Sequence, residues 1–325
     1  MVMLHMVGAI NNCLFQQMEK DDTVIVLGED VGVDGGVFRV TDGLQAKFGR
    51  ERVIDSPLSE EGIIGSAIGM AVYGLKPVAE IQFSGFIYAG FEHLTSHAAR
   101  IRNRSRGKYH VPLVVRTPYG GGIRALEHHQ ESTETLFAHT MGLKVVIPSG
   151  PIEAKGLMAS AIQDPDPVIF FESLKMYRAF KEDVPEEEYF IPIGKANIVR
   201  EGTDLTLVSV GAMMKPTIAA AETLAQEGVS CEVIDLRSIS PLDTKTIIES
   251  VRKTGRCVIV HEAVKFLGIG AEISAQINEK ALYDLKAPVK RVAGYNTIIP
   301  LAQLEHYYMI DEKRVLREVK DTLKQ

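Results

Sequence analysis

Continuous apolar runs, rather than alternating ones, mark the first half of the chain: Thr23–Leu27, Pro77–Phe83, Pro112–Thr117, Lys144–Pro148 and Val168–Glu172. Such runs suit strands covered on both faces, as in a parallel sheet layered by helices. Stretches of helical spacing fall between them, at Glu60–Tyr73, Gly85–Arg102, Ser132–Thr140 and Pro151–Asp164. The opening residues predict one further helix running to about Lys20. The second half repeats the theme. Strands are expected at Asp204–Val210, Ser230–Asp235, Cys257–Glu262 and Val289–Val292, with helices at Lys215–Glu227, Asp243–Thr254 and Gly268–Leu282. This alternation predicts an α/β fold of two domains with mostly parallel sheets. Between the halves, Arg178–Lys195 is rich in Glu, Pro and Lys and reads as a linker. The expected domains are therefore 1–190 and 191–325.

Composition narrows the function classes. The chain has 325 residues, 46% of them hydrophobic, enough for two cores. A net charge of −6 argues against a general nucleic-acid binder. The three cysteines, Cys13, Cys231 and Cys257, stand far apart, which excludes a disulfide framework and a Cys-x-x-Cys site. A reducing compartment is expected. No apolar run approaches the roughly 20 residues that span a bilayer, and the first ten residues lack the Lys or Arg that opens a signal peptide. The expectation is a cytoplasmic protein without a membrane partner, or a mitochondrial matrix protein if the source is a eukaryote.

Several residues could carry chemistry. Gly28-Glu29-Asp30 closes the first strand, and carboxylates at that edge of a parallel sheet lie where ligands bind. A strand-end carboxylate facing water is the plainer reading. Ser59 is placed to cap the helix that Glu60 and Glu61 open, which explains those acids without catalysis. Glu127-His128-His129-Gln130-Glu131 follows Gly120, Gly121 and Gly122, so a mobile glycine loop would present paired imidazoles for acid–base work or form a polar turn. His93 and His97 stand at i, i+4. That spacing can chelate a metal, yet no third ligand is evident, and core or interface histidines are the expected reading. The basic run Arg100, Arg102, Arg104, Arg106 and Lys108 reads as a solvated or salt-bridging face. No phosphate loop of the Gly-x-x-x-x-Gly-Lys-Ser/Thr kind, nucleophile elbow or complete dinucleotide fingerprint is present.

Five ordered stretches carry a resemblance over the whole chain: Gly28-Glu29-Asp30-Val31-Gly32, Pro57-Leu58-Ser59-Glu60, Ala79–Phe83, Gly142–Pro148, and Asp235-Leu236-Arg237 with Pro241. On these, the chain resembles beta subunits of the thiamine-diphosphate-dependent component of pyruvate and branched-chain 2-oxo acid dehydrogenase complexes. The resemblance implies a pyrimidine-binding fold followed by a transketolase C-terminal-like domain. It implies oxidative decarboxylation of a 2-oxo acid, pyruvate or branched-chain, with a slight lean to branched-chain or broad specificity, and passage of the acyl group to lipoamide. A non-catalytic assembly and docking subunit of the same complex is the alternative.

The resemblance also assigns residues. Glu60 would bond N1′ of the cofactor's aminopyrimidine, so that the 4′ nitrogen can take the proton from C2. Leu58 and Phe86 would pack around that ring, and Glu29 would join the acid network behind it. His129 would face substrate during acyl transfer, and Gln82 would line the substrate pocket. Ala161, Asp164 and Asp166 match a monovalent-cation (K⁺) site built largely from carbonyls. Relatives anchor the diphosphate through Mg²⁺ with a Gly-Asp-Gly motif, and this chain has none. An alpha subunit would then hold the Mg²⁺ in an α2β2 heterotetramer, and the second domain would help dock the lipoyl acyltransferase core.

Overall fold

Fourteen strands carry the architecture. In chain order they are β1 (Val2–Leu4), β2 (Val24–Gly28), β3 (Val53–Asp55), β4 (Lys76–Glu80), β5 (Val114–Tyr119), β6 (Lys144–Val146) and β7 (Val168–Ser173). There follow β8 (Glu182–Val184), β9 (Asn197–Arg200), β10 (Leu205–Ser209), β11 (Cys231–Asp235), β12 (Ser238–Ser240), β13 (Cys257–Val264) and β14 (Lys290–Gly294). The computed structural model describes residues 1–325.

The strands build two main sheets. The larger runs β12-β6-β7-β5-β4-β2-β3 and the smaller β14-β13-β10-β11-β9. Every pairing is parallel except two at sheet edges, β12 with β6 and β9 with β11. The apolar runs are buried on both faces, as a helix-covered parallel sheet requires. Consecutive side chains point to opposite faces. Accordingly Val26, Val114 and Phe170 share one core with Leu207 and Val233, while their neighbours Leu27, Val115 and Phe171 share the other with Val208 and Ile234. Each core thus continues through both halves of the chain.

Four expectations are corrected. The opening residues are not all helix: Val2–Leu4 pairs antiparallel with Glu182–Val184, and the helix is Met6–Lys20. That same pairing means Arg178–Lys195 is no free linker. Gln16 donates to the Glu186 carbonyl, and Lys155 Nζ, fully buried, donates to the carbonyls of Pro185, Glu186 and Glu187. Gly85–Arg102 is not one helix but a 3₁₀ turn at Phe86–Gly90, a π-helical turn at His93–Ala98 and an α turn at Ile101–Arg104. Finally, the chain closes with an unanticipated helix at Glu312–Leu323, capped by the Asp311 side chain.

The three cysteines are free and buried. Burial pushes the Cys13 and Cys257 thiols up to about 12. No helix is long and apolar enough to cross a membrane.

Candidate active site

β2 and β4 run side by side in parallel, so Gly28 and Glu80 end at the same edge of the large sheet. Glu29 and Asp30 leave that edge at once, Asp30 with φ +58°. Gln82, just past β4, reaches back so that its Nε2 donates to Asp30 Oδ2 at 3.4 Å. Burial first, then the negative charges of Asp30 and Glu60, hold the Glu29 carboxyl above its ordinary range. Glu29 and Glu60 therefore stand close enough to feel one another.

Glu60 opens the helix Glu60–Val72. Ser59 occupies the cap position, but its side chain makes no capping bond, which corrects the expectation drawn from sequence. The 3₁₀ turn packs on this helix at Ile64: a Cβ on Gly90 would lie 2.3 Å from Ile64 Cδ1 and 3.2 Å from the Glu60 carbonyl oxygen. Glycine at 90 thus lets the turn that begins with Phe86 seat against the first residues of the Glu60 helix.

Phe86 leads to the histidines. Its ring centroid lies 5.3 Å from that of His129 and 5.8 Å from that of His128. Phe83 lies 4.5 Å from His129, edge to face. Phe83 closes an apolar run and one of the stretches that carry the resemblance, and nothing in its spacing marks it as a support for the imidazole. Burial and the neighbouring His128 lower the His129 pKa, so the ring is neutral at neutral pH. Its Nδ1 is buried and has no hydrogen-bond partner.

The glycine loop before these histidines is pinned rather than mobile. Gly121 N–H donates to Glu262 Oε1 at 2.6 Å, and Gly122 N–H donates to Glu305 Oε1 at 2.7 Å. Both carboxylates come from the far half of the chain, which is why local sequence reading misses them. The His128–Glu131 turn is held from the other side, with Ser84 Oγ donating to the Glu131 carbonyl at 2.6 Å. A cavity of about 430 Å³ opens beside this turn, lined by Gln130, Glu131, Glu262, Phe266 and Tyr308 among others.

Behind the edge lies a buried charge network. Arg116 donates through Nε and Nη2 to the two oxygens of Glu172 at 2.7 and 2.6 Å, and through Nη1 to Glu80. Tyr177 Oη donates to Glu172 Oε2 at 2.6 Å. One guanidinium thus serves two carboxylates, and burial leaves Glu80 above its ordinary range.

Glu29, Glu60, Gln82, Phe86 and His129 therefore converge at one sheet edge. Leu58 stands at its rim, 71% exposed. Ala161, Asp164 and Asp166 do not join them. They precede β7 and so lie at the opposite edge of the parallel sheet. There Lys144 Nζ donates to both Asp164 oxygens at 2.6 Å, and Arg102 Nη1 donates to Asp166 at 2.6 and 2.8 Å. The basic run accordingly reads as a solvated face with one strong ion pair.

Comparison with known proteins decides the family. The family described as transketolase, pyrimidine binding domain, matches residues 3–179, and that described as transketolase, C-terminal domain, matches residues 194–315. The beta subunit of the pyruvate dehydrogenase E1 component of Acholeplasma laidlawii is 51% identical over 324 residues, covering 100% of this chain and 99% of that one. The chain belongs to this E1 beta-subunit family. Its counterparts in Staphylococcus epidermidis (strain RP62A) and Bacillus subtilis (strain 168) are 50% and 49% identical, each covering 99% of both chains. A solved structure described as a split gene transketolase, inactive beta4 tetramer, superposes with a TM-score of 0.82 at 22% identity, covering 99% of this chain and 98% of that one. It shares this chain's fold.

Proposed function

We propose that this chain is the beta half of a 2-oxo acid dehydrogenase that decarboxylates pyruvate with thiamine diphosphate and passes the acyl group to lipoamide. Pyruvate is the first substrate to test, because the relatives carry its name. The lean to branched-chain substrates has no such support. Residues 1–190 would be the pyrimidine-binding part and 191–325 the transketolase C-terminal-like part, the latter helping to dock a lipoyl acyltransferase core.

One observation carries the reading: the converged edge is half a site. Leu58 offers a largely exposed apolar side chain, Phe86 is half-buried, and His129 Nδ1 lacks a partner. Those features fit an aminopyrimidine ring, which Leu58 and Phe86 would hold and Glu60 would hydrogen-bond. No Gly-Asp-Gly is present for a Mg²⁺-diphosphate anchor, so an alpha subunit would supply that half in an α2β2 assembly. The Ala161–Asp166 turn would hold a monovalent cation through its carbonyls, its two carboxylates being engaged by Lys144 and Arg102.

Thiamine diphosphate, when bound, supplies the electron sink for loss of CO₂. The chain's own residues have separate tasks. Glu60 would hydrogen-bond the pyrimidine nitrogen and hold or release a proton there. Glu29, whose carboxyl is held above its ordinary range by burial and by the charges of Asp30 and Glu60, would join the acid network behind the ring. His129, neutral and braced by Phe83 and Phe86, donates or accepts one proton at the substrate. Gln82, steadied by Asp30, presents an amide to the 2-oxo acid.

Calorimetry tests the reading. Thiamine diphosphate should bind tightly only when the alpha subunit and Mg²⁺ are added, and the assembly should then decarboxylate pyruvate faster than 3-methyl-2-oxobutanoate. Tight, Mg²⁺-dependent binding by this chain alone would overturn it.

A further inference from the structure

His93 and His97 are not core residues. They sit on the π-helical turn His93–Ala98, half-buried and exposed respectively. Single π turns inside helices recur at functional sites. Here the turn sets the two imidazoles nearly parallel, at 29° with centroids 5.9 Å apart. The third ligand that the sequence does not reveal is Glu92. Its Oε2 lies 3.2 Å from His93 Nδ1, and its Oε1 lies 3.9 Å from His97 Nε2. One donor atom from each of the three residues falls within 4.8 Å of the other two.

These spacings suit one small ion. With metal–ligand bonds of about 2.0–2.2 Å, tetrahedral ligands around zinc stand roughly 3.3–3.5 Å apart. The two Glu92–His distances, to different carboxylate oxygens, lie near that edge, and with one donor atom per residue the set lies within 4.8 Å, so the side chains close inward on binding. Two imidazoles and a carboxylate select zinc, nickel or copper over calcium and magnesium, which favour all-oxygen sites. The ion can arrive from water, since the Glu92 and His97 side chains are 65% and 49% exposed.

The position matters for the neighbouring site. The His93 ring rests beside Gly65 of the Glu60–Val72 helix, 3.8 Å from where a Cβ there would stand. The same connection carries Phe86 and Gly90, three residues before His93 and seated on that helix.

We propose that Glu92, His93 and His97 form a three-ligand site for Zn²⁺, with a fourth position open to water or to a ligand from a partner. This site is independent of the functional reading above, because it rests on the turn's own geometry.

The test uses the full chain, freed of metal with a chelator and titrated with CoCl₂. One Co²⁺ per chain should bind, with a visible d–d band, and Zn²⁺ should displace it. Zn²⁺ should raise the thermal midpoint of the wild type and leave that of the His93→Ala/His97→Ala variant unmoved. The double variant should lose the band, and Glu92→Gln should weaken it. His97→Gln, a change at an exposed position, should lose the site while keeping the metal-free melting midpoint of the wild type. That comparison separates loss of ligand from loss of fold. Absence of a saturable site, or a stoichiometric site that survives the double variant, would overturn the proposal.

Discussion

The carbonyl oxygen of His128 faces the α-carbon of Gly85 so closely that a Cβ on that glycine would stand 2.0 Å from it. Gly85 has an ordinary φ of −69°, so the demand is for space and not for a left-handed backbone. This contact sets how near the histidine turn can come to the 3₁₀ turn that holds Phe86. In Gly85→Ala, the Glu127–His129 turn must retreat. The assembled enzyme should keep its cofactor affinity while kcat falls by on the order of 10²-fold, the usual cost of a misplacement near 1 Å. Unchanged kcat in steady-state assays would show that His129 need not sit where this contact puts it.

Glu60→Ala distinguishes a catalytic beta chain from an assembly subunit. An assembled but inactive complex is expected, with turnover lowered by about 10²–10⁴-fold, the range for loss of an acid–base group. Size-exclusion chromatography reports assembly, and pyruvate decarboxylation reports activity. A complex that forms and turns over normally would favour the scaffold reading.

Three buried carboxyls make stability depend on pH. Burial raises Glu134, Asp235 and Glu262 each to about 7, from ordinary values near 4. The folded chain then binds more protons than the unfolded one between roughly pH 4 and 7. Stability from these groups is full at the acid end of that window and declines as pH rises through it. Glu262→Gln keeps an oxygen for the Gly121 N–H and removes one titration. Its melting midpoint should therefore fall less than that of the wild type between pH 5 and pH 8. An identical fall would assign the pH dependence elsewhere.

Arg116→Met should cost about 3–5 kcal/mol, because Glu80 and Glu172 would stay buried without their shared cation. Urea unfolding at pH 7 measures it. The loss should shrink in an Arg116→Met/Glu80→Gln/Glu172→Gln variant, whose carboxylates are gone. An equal loss in that variant would place the cost in packing rather than charge.

The inner strands are legible because parallel strands with helices on both faces carry continuous apolar runs, as Val24–Gly28 and Val168–Phe171 do. The short edge strands are not. Val2–Leu4, Glu182–Val184 and Ser238–Ser240 hold three residues each, and their partners define them more than any pattern of their own. Gly85–Arg102 looked like one helix because its apolar spacing cannot show where a wider turn shifts the phase. For the site, a strand end marks Glu29 and the paired imidazoles mark His128 and His129, while the resemblance supplies Glu60, Leu58, Phe86 and Gln82 and selects His129. The pins on the glycine loop, Glu262 and Glu305, stand 141 and 183 residues from their partners. No local reading reaches that far. His97 illustrates the reverse: its spacing from His93 is visible in the sequence, but the nearness of the Glu92 carboxylate to both imidazoles shows only in the π turn.

Strand Ser238–Ser240 leaves its own half to finish the other half's sheet, and Ile147 N–H donates to the Arg237 carbonyl at 2.8 Å beside it. A fragment ending near residue 190 would bare the rim of Lys144–Val146, an invitation to stick to its own kind. The two halves are thus poor candidates for separate expression or swapping between relatives. A nick in the connecting segment, with both pieces retained, should be tolerated far better than the loss of either.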